Sequence, residues 1–387
     1  MSEWKKVKLG EVCEISAGGD RPQIFSNHRT DKCRIPIYSN GIDNEGLYGF
    51  TDTPKNNGNA ITITGRGANA GTVFYRKDPF LSIIRLLTLT PNSEIINAKY
   101  LFYLLKNKTF LSTGSAQPQI TVPNISQFEI EFNPDIETQH RIATILSRYD
   151  SLIENYQKQI KLLEEAAQRL YKEWFIDLHF PGHENTKIVD GVPEGWEKKP
   201  ALDFFEMSIG KTPPRTQKQW FTKGSNGIPW VSISDMKDTM FVQETAEELT
   251  QDACENYNIK VVPKGTILLS FKLTVGRVAF AGADVCTNEA IAHFQKEGDE
   301  WKAYTLMYLR NYNYDSLGNT SGISKAVNST IIKNMPFVMP CTAILQKFSQ
   351  RVLPFIKQTE NLQSQIRLLT EARDRLLPKL MSGEITV

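Results

Sequence analysis

SLIENYQKQIKLLEEAAQRLYK (151–172) and KQTENLQSQIRLLTEARDRLLP (357–378) lie at an offset of 206 residues and are identical at eleven of their 22 positions. Agreement of that density marks a duplication. A period of 206 residues is far longer than the roughly 20–50 residues of a solenoid unit, so the chain is a domain written twice and not a repeat array. Fainter echoes spread outward from this pair. CEISAGG (13–19), following Trp4, answers FEMSIGK (205–211), following Trp196, with Glu14, Ser16 and Gly18 matched by Glu206, Ser208 and Gly210. IPIYSNG (35–41) answers IPWVSIS (228–234), AITITGRGANAGTVFY (60–75) answers TILLSFKLTVGRVAFA (266–281), and LFYLLKN (101–107) answers LMYLRNY (306–312).

Both anchoring stretches carry an apolar seam spaced alternately by four and three residues. The seams are Tyr149, Ile153, Tyr156, Ile160, Leu163, Ala167 and Leu170, and Phe355, Thr359, Leu362, Ile366, Leu369, Arg373 and Leu376. That spacing is the coiled-coil heptad, weakened in the second seam by Thr359 and Arg373. Pro134 with Asp135, and Pro340 with Thr342, supply start signals. Pro354 is expected to break the second helix, and by analogy the first should bend near Tyr149, leaving long arms over 151–172 and 355–377. Each arm alone would expose its stripe, so the two are expected to pair as an antiparallel intramolecular coiled coil. Twenty-two residues rise about 33 Å, close to the ~34 Å turn of B-DNA that separates half-sites read by two-fold proteins.

The remainder of each half is rich in Gly, Pro, Asn and short β-type runs: AITIT, GTVFY and ISQFEIEF in the first, GTILLSF, GRVAFA and MPFVMP in the second. Period-2 patterning and turn residues mark these as strands, interrupted by a helical run near 99–110 and its partner near 301–311. The fold class is therefore α+β: two mixed domains, 1–135 and 181–340, separated by helical segments 136–180 and 341–387, with pseudo-two-fold duplication.

Composition narrows the class without naming a function. A chain of 387 residues with 40% hydrophobic and 23% charged residues is ordinary globular material for two or three domains, which removes disordered and fibrous classes. No apolar run approaches the roughly 18 residues of a membrane span. The N-terminal MSEWKKVKLGEV has no signal-peptide core, so the protein is expected in the cytoplasm, with no membrane partner. Cys13, Cys33, Cys254, Cys286 and Cys341 form no CxxC pair and read as free thiols. The net charge of +2 neither demands nor excludes a polyanion. Residues 1–135 hold 15 basic against 13 acidic residues and 181–340 hold 17 against 19, so any nucleic-acid surface must arise from local clustering.

Catalytic constellations do not emerge. GRGANAG (65–71) follows a strand, but GTVFYRK continues as a strand where a phosphate loop would open a helix, so it reads as a glycine-rich hairpin. There is no GxxxxGK[ST], no [DN]PP[YF], and no clustered Asp/Glu/Lys of a metal-dependent nuclease. Pro181 and Gly182 keep His179 and His183 off a shared helical face, and Glu164 with Glu165 reads as a solvated helix face. No cofactor or metal is expected in this chain. What remains are polar, glycine-interrupted loops bearing side chains that read base edges or hold phosphates. In the first half these are Arg21 and Gln23 in GGDRPQ, Arg29 in SNHRTDK, Arg66 and Asn69 in TGRGAN, and Gln117 in STGSAQPQ. In the second they are Lys211, Arg215 and Lys218 in GKTPPRTQK, Lys272 and Arg277 in SFKLTVGR, and Lys325 in SGISK. Taken singly each is ordinary surface; the same loops carry them in both copies, as with Arg66 and Lys272.

With these segments in order, the chain resembles, along essentially its whole length, the specificity subunits of type I restriction-modification systems. VPEGWEKKPALDFFEMSIGKTP (192–213) is similar to the Gly-Trp segment and SGGTP-like loop that open the family's recognition domains, and SEWKKVKLGEVCEISAGG matches less completely. IPWVSISDM, GTILLSFKLTVGRVAF and TNEAI (287–291) resemble its recurrent strand-and-loop segments, and LYKEWFIDL and LLPKLMSGEI resemble its closing segments. GRGANAGT departs from the family's usual Lys/Arg-containing strand turn. The resemblance implies a non-catalytic subunit in which each recognition domain reads one half of a bipartite double-stranded DNA target. It implies that the helices set the spacer and dock two DNA methyltransferase subunits, which bring S-adenosylmethionine. Nuclease/translocase subunits, using ATP and Mg, would join for cleavage. A recognition subunit of a type II system with fused nuclease-methyltransferase, a protein-binding helical scaffold and a nucleic-acid enzyme are the alternatives the residues leave open.

Overall fold

The computed structural model describes residues 4–106, 108–110, 119–224, 227–317 and 327–387. The first half runs β1 (Lys5–Lys8), α1 (Leu9–Val12), β2 (Cys13–Ala17), β3 (Ile35–Tyr38), β4 (Leu47–Thr51), β5 (Ala60–Ile63), β6 (Val73–Arg76), β7 (Leu81–Ser82), β8 (Leu87–Pro91), α2 (Ala98–Leu105), α3 (Val122–Ser126), β9 (Glu129–Phe132) and α4 (Ile136–Tyr171). The second opens with a hairpin, β10 (Ile188–Val189) and β11 (Val192–Pro193), then β12 (Glu197–Pro200), β13 (Glu206–Ile209), β14 (Phe221–Thr222), β15 (Ile228–Val231), β16 (Phe241–Val242), β17 (Glu247–Leu249) and α5 (Gln251–Asn256). It continues through β18 (Ile267–Ser270), β19 (Val278–Ala281), β20 (Cys286–Thr287), β21 (Ile291–Gln295), α6 (Lys302–Asn311), α7 (Ser329–Lys333), β22 (Pro336–Met339) and α8 (Thr342–Met381).

Two compact units result: Met1–Ile153 with Leu369–Val387, and Glu154–Leu368. Each takes part of both long helices. The first unit has a four-stranded antiparallel sheet in the order β2-β8-β5-β6, a small sheet β4-β3-β7 in which β3 and β7 are parallel, and a ribbon of β1 with β9. The second unit repeats this plan as β13-β21-β18-β19, β17-β15-β20 and β12 with β22, again with the short strand of the small sheet parallel to its neighbour. Additions distinguish it: β16 lengthens the large sheet, β14 extends the small one, and α5 follows β17. The central strands β5 (AITI) and β18 (ILLS) are buried at every position, as continuous apolar runs covered on both faces must be.

In the first unit, Ile61, Ile63, Leu87 and Leu89 of the sheet pack with Tyr100, Leu101 and Leu105 of α2, Ile142 and Leu146 of α4, and Leu377 and Leu380 of α8. The second core is more aromatic. Phe175 lies 4.6 Å from the Tyr304 ring and 4.9 Å from Phe348, with Trp174, Trp196, Phe205 and Phe337 around them.

The helices begin where the start signals place them: Asp135 accepts from the Thr138 amide at 3.0 Å, capping α4. Pro354 corrects the expected break, because α8 runs as one helix from Thr342 to Met381, and α4 runs through Tyr149 without interruption. Proline removes one helical hydrogen bond, but Pro354 is exposed, as is Gln350, whose carbonyl loses its partner. Burial of Phe348, Val352 and Ile356 on the opposite side holds the helix through it. In the first unit Asp150 pairs with Arg373 at 2.6 Å, and Arg141 reaches the Val387 carbonyl at 3.4 Å. Rising numbers on α4 thus meet falling numbers on α8 and the tail that follows it, and the pairing is antiparallel.

Of the expected seam, Ile153 and Leu362 are buried, while Tyr156, Ile160, Leu163, Leu170, Phe355, Ile366, Leu369 and Leu376 are partly buried. On α8, Ile356 and Leu377 are more buried than their neighbours Phe355 and Leu376. A straight helix drifts about 20° per heptad against a 3.5-residue repeat, and the buried line steps over by one residue at each end.

Candidate nucleic-acid interface

Strand register decides which loops can cooperate. In the first unit Ala17 pairs with Leu87, Leu87 with Ile63, and Ile63 with Val73, so the end of β2, the start of β8 and the β5–β6 loop share one sheet edge. The parallel pairing of Tyr38 with Ser82 brings the end of β3 and the loop after β7 to it. Gly18 makes the junction possible: a Cβ there would lie 2.7 Å from the Ser82 and Ile83 backbone. Its amide donates to Leu86 at 2.8 Å, and its carbonyl accepts from Arg85 at 2.9 Å. Asn40 ties the loops together, accepting from the Gly65 amide at 2.7 Å and donating to the Ile84 carbonyl.

Arg21, Gln23 and Asn69 are exposed on these loops, and Arg66 is partly buried with its backbone bridged to Gln119. Arg29 is exposed too, but it follows Ser26, whose bridge to Phe50 places that stretch beside the start of β3 and away from this edge. The Arg21 guanidinium lies 5.0 Å from the Phe25 ring. Gln117 lies outside the described residues. Arg85, exposed beside Gly65, belongs to this edge and was not singled out in sequence. Its signal was a lone charge inside the apolar run IIRLL (83–87).

The second unit builds the same edge: Ile209 pairs with Ala292, Ser270 with Ile291, Leu269 with Val278, and Val231 with Thr287. Gly210 plays the part of Gly18, since the Thr287 hydroxyl and Asn288 carbonyl occupy the space a Cβ would need. Beneath them His293 is fully buried, its ring nitrogens 2.8 Å from Ser208 Oγ and 2.7 Å from Thr287 Oγ1. Burial, aided by the charge of Lys260, pushes its pKa down to about 4, so the imidazole is neutral near pH 7 and donates from one nitrogen while accepting at the other. It thereby fixes the residue from which the 288–290 loop departs.

Of the sequence candidates, Lys211, Arg215 and Lys218 are exposed and Lys272 is partly buried. Arg215 is engaged: it bonds both Glu247 oxygens at 2.9 and 2.7 Å and lies 4.5 Å from the Phe221 and Trp230 rings. Arg277 donates to the Ile233 carbonyl at 2.7 Å. Lys325 lies outside the described residues. A pocket of roughly 320 Å³ gathers Arg215, Lys218 and Lys223 with Phe221 and Glu247; Lys223 was not anticipated. Neither was Glu289, which is exposed and hydrogen-bonded by the Thr212 hydroxyl. Burial opposes its ionisation, but that bond and the charges of Lys272 and Arg215 outweigh it and lower its pKa. The edge therefore presents both cations able to hold phosphates and a carboxylate able to accept from an amino group.

No helix among the described residues is long and apolar enough to cross a membrane. His179 and His183 sit with rings 5.3 Å apart, and among the described residues no group of three or more His, Cys, Asp or Glu is placed to hold a metal.

The type I restriction modification DNA specificity domain matches twice, over residues 1–165 and 193–370. The chain is 30% identical over 345 residues to the type I restriction enzyme MjaIX specificity subunit of Methanocaldococcus jannaschii, covering 84% of this chain and 78% of that protein. It is 23% identical to the HindI specificity subunit of Haemophilus influenzae, with both chains covered in full. The crystal structure of the type I restriction-modification S subunit from M. genitalium aligns with a TM-score of 0.66 at 16% identity, over 98% of this chain and 96% of that one, which establishes the shared fold. Two matches to one domain, in the halves that the sheets independently repeat, leave a single assignment: the chain belongs to the type I restriction-modification DNA specificity family.

Proposed function

We propose that each unit reads one half of a bipartite double-stranded DNA target and that the chain itself performs no chemistry. The observation that carries this reading is the repetition, at the same sheet edge of both units, of the same loops bearing different side chains. Common scaffolding serves a common task, and different side chains serve two different half-sites. Phosphate contacts from cations such as Arg21, Lys211 and Lys218 supply salt-dependent affinity. A few base-edge contacts, worth about 1–3 kcal/mol each, supply discrimination. Linking two readers makes the second contact intramolecular, so weak half-sites add to a selective whole.

In the same reading, α4 and α8 set the unread spacer and dock two DNA methyltransferase subunits, with nuclease/translocase subunits joining for cleavage. S-adenosylmethionine, and ATP with Mg, belong to those partners. Leu162 and Leu368 support this docking surface: they occupy matching positions of the two repeats, and are 64% and 54% exposed. The test is co-expression with the DNA methyltransferase subunit that co-purifies with this chain, followed by mapping of modified bases by long-read sequencing. A split motif with a fixed gap, lost when this chain is deleted, is expected. Continuous methylation, or methylation indifferent to the chain, refutes the two-reader assignment.

A further inference from the structure

Ile84 and Leu273 combine two features that rarely coincide. Both are large aliphatic residues exposed to solvent, at 50% and 76%, and both adopt left-handed backbone, with φ of 53° and 61°. Positive φ is a genuine outlier for a β-branched residue such as Ile84. Strained backbone persists only where the surroundings over-determine it, and it concentrates at functional sites.

The surroundings do over-determine both. The Ile84 amide donates to the Gly19 carbonyl at 2.8 Å, its own carbonyl accepts from Asn40, and the next amide, Arg85, is held by Gly18. Leu273 is the apex of a tight turn in which the Thr274 amide reaches back to the Lys272 carbonyl at 2.7 Å. Ser270 Oγ clamps the Thr274 carbonyl at 2.6 Å. Neither side chain joins the hydrophobic cores of the described residues. A structural role would bury them; these loops are built to display them.

Their placement gives the display a direction. Ile84 lies on the β7–β8 loop and Leu273 on the β18–β19 loop, both at the edge described above, and each adjoins a cation, Arg85 and Lys272. A fixed aliphatic tip beside a phosphate-binding charge matches what DNA offers: phosphates along the groove and, within it, apolar base surface. We propose that Ile84 and Leu273 are specificity-determining residues, one for each unit, that touch the apolar surface of a base in their respective half-sites. That surface is either the thymine C5-methyl group or the face of a base step opened by a wedge. Because hydrogen bonds already hold the backbone of both loops, little loop ordering remains to oppose binding.

The proposal rests on the DNA-reading assignment, and the experiment separates the two. The complex of this chain with its methyltransferase is titrated against duplexes carrying the split motif, with Ile84→Ala, Ile84→Gly, Leu273→Ala and Leu273→Gly compared with wild type. Each variant should lose about tenfold in affinity for its cognate duplex, the ordinary cost of one lost base contact. Its methylation motif should relax in one half-site only, a different half for each residue. The glycine variants, which relieve the backbone strain, should unfold at the wild-type temperature or above. Duplexes with deoxyuridine for thymine that erase the difference between wild type and variant identify the methyl group as the contact. A 2-aminopurine signal at one step that wild type induces and the variant does not identifies a wedge. Unchanged affinity and motif in the alanine and glycine variants alike, or destabilisation of the glycine variants, overturns the proposal. Failure of the wild-type complex itself to bind any split motif overturns the reading beneath it instead.

Discussion

His293 makes the second unit's stability depend on pH in a window where few other groups titrate. The ring is fully buried between Ser208 and Thr287, and its pKa falls from 6.5 to about 4. Between those values the unfolded chain binds a proton that the folded chain refuses. Stability is therefore complete above about pH 6.5, declines as pH falls, and stops declining near pH 4, where the folded ring also protonates. The full gap corresponds to about 3 kcal/mol, of which about 2 kcal/mol is lost by pH 5. Five of the six tryptophans (Trp174, Trp196, Trp220, Trp230 and Trp301) lie in this unit, so tryptophan fluorescence during urea unfolding reports on it. Between pH 7 and pH 5 the wild type should lose about 2 kcal/mol more than His293→Gln, which retains a donor and an acceptor but does not titrate. Carboxylates held below their usual pKa, such as Glu206 beside Lys260, lose their contribution only at lower pH and cancel in the comparison. Parallel pH curves for the two proteins would refute the buried neutral imidazole.

Other expectations follow from single contacts. Thr359 is fully buried on α8 and its hydroxyl has no hydrogen-bond partner among the described residues. Thr359→Val should therefore raise stability by about 1 kcal/mol in the same urea assay. Arg373→Leu should cost about 2–3 kcal/mol, because it leaves Asp150 at the α4–α8 seam with its 2.6 Å partner gone; thermal melts of the first unit would register it. Arg76, 3% exposed, holds Thr62 Oγ1 at 3.0 Å and the Glu45 carbonyl at 2.6 Å. Arg76→Met should cost about 3 kcal/mol by orphaning those groups, and hydrogen exchange should locate the loosening at residues 43–46. Leu162→Glu with Leu368→Glu should leave the melting temperature unchanged while weakening co-purification of the methyltransferase.

The duplication was legible because each half buries its elements in the same order, and burial leaves a pattern in the residues: AITI and ILLS read as strands, though not as the central ones that the sheets make them. Register-dependent features did not. LSIIRLLTLT (81–90) reads as one apolar run, yet the chain turns over within it, leaving Leu81–Ser82 in one sheet and Leu87–Pro91 in the other. Hydropathy records burial, not backbone direction, so the strained display of Ile84 was invisible. Arg215 and Arg277 looked like free loop cations because their partners, Glu247 and the Ile233 carbonyl, lie 32 and 44 residues away. Pro354 misled for a related reason: propensity is local, whereas the packing that overrides it comes from Phe348, Val352 and Ile356 acting together.

The division between anchor and tip explains how one scaffold can carry two readers. Gly18 and Gly210 are confined by backbone and side-chain atoms that leave no room for a Cβ, and Asn40 and His293 fasten the loops from below. Substitution at these positions must be felt by the fold. Beyond them the two units diverge freely: Ile84 and Arg85 stand on the loop that in the second unit carries Glu289, while the aliphatic tip there moves to Leu273 on the neighbouring hairpin. Exposed tips contribute little to either core, so exchanging them changes what the edge presents at small cost in stability. A new target can then be acquired by replacing tips alone, provided the glycines and the buried fasteners beneath them stay in place.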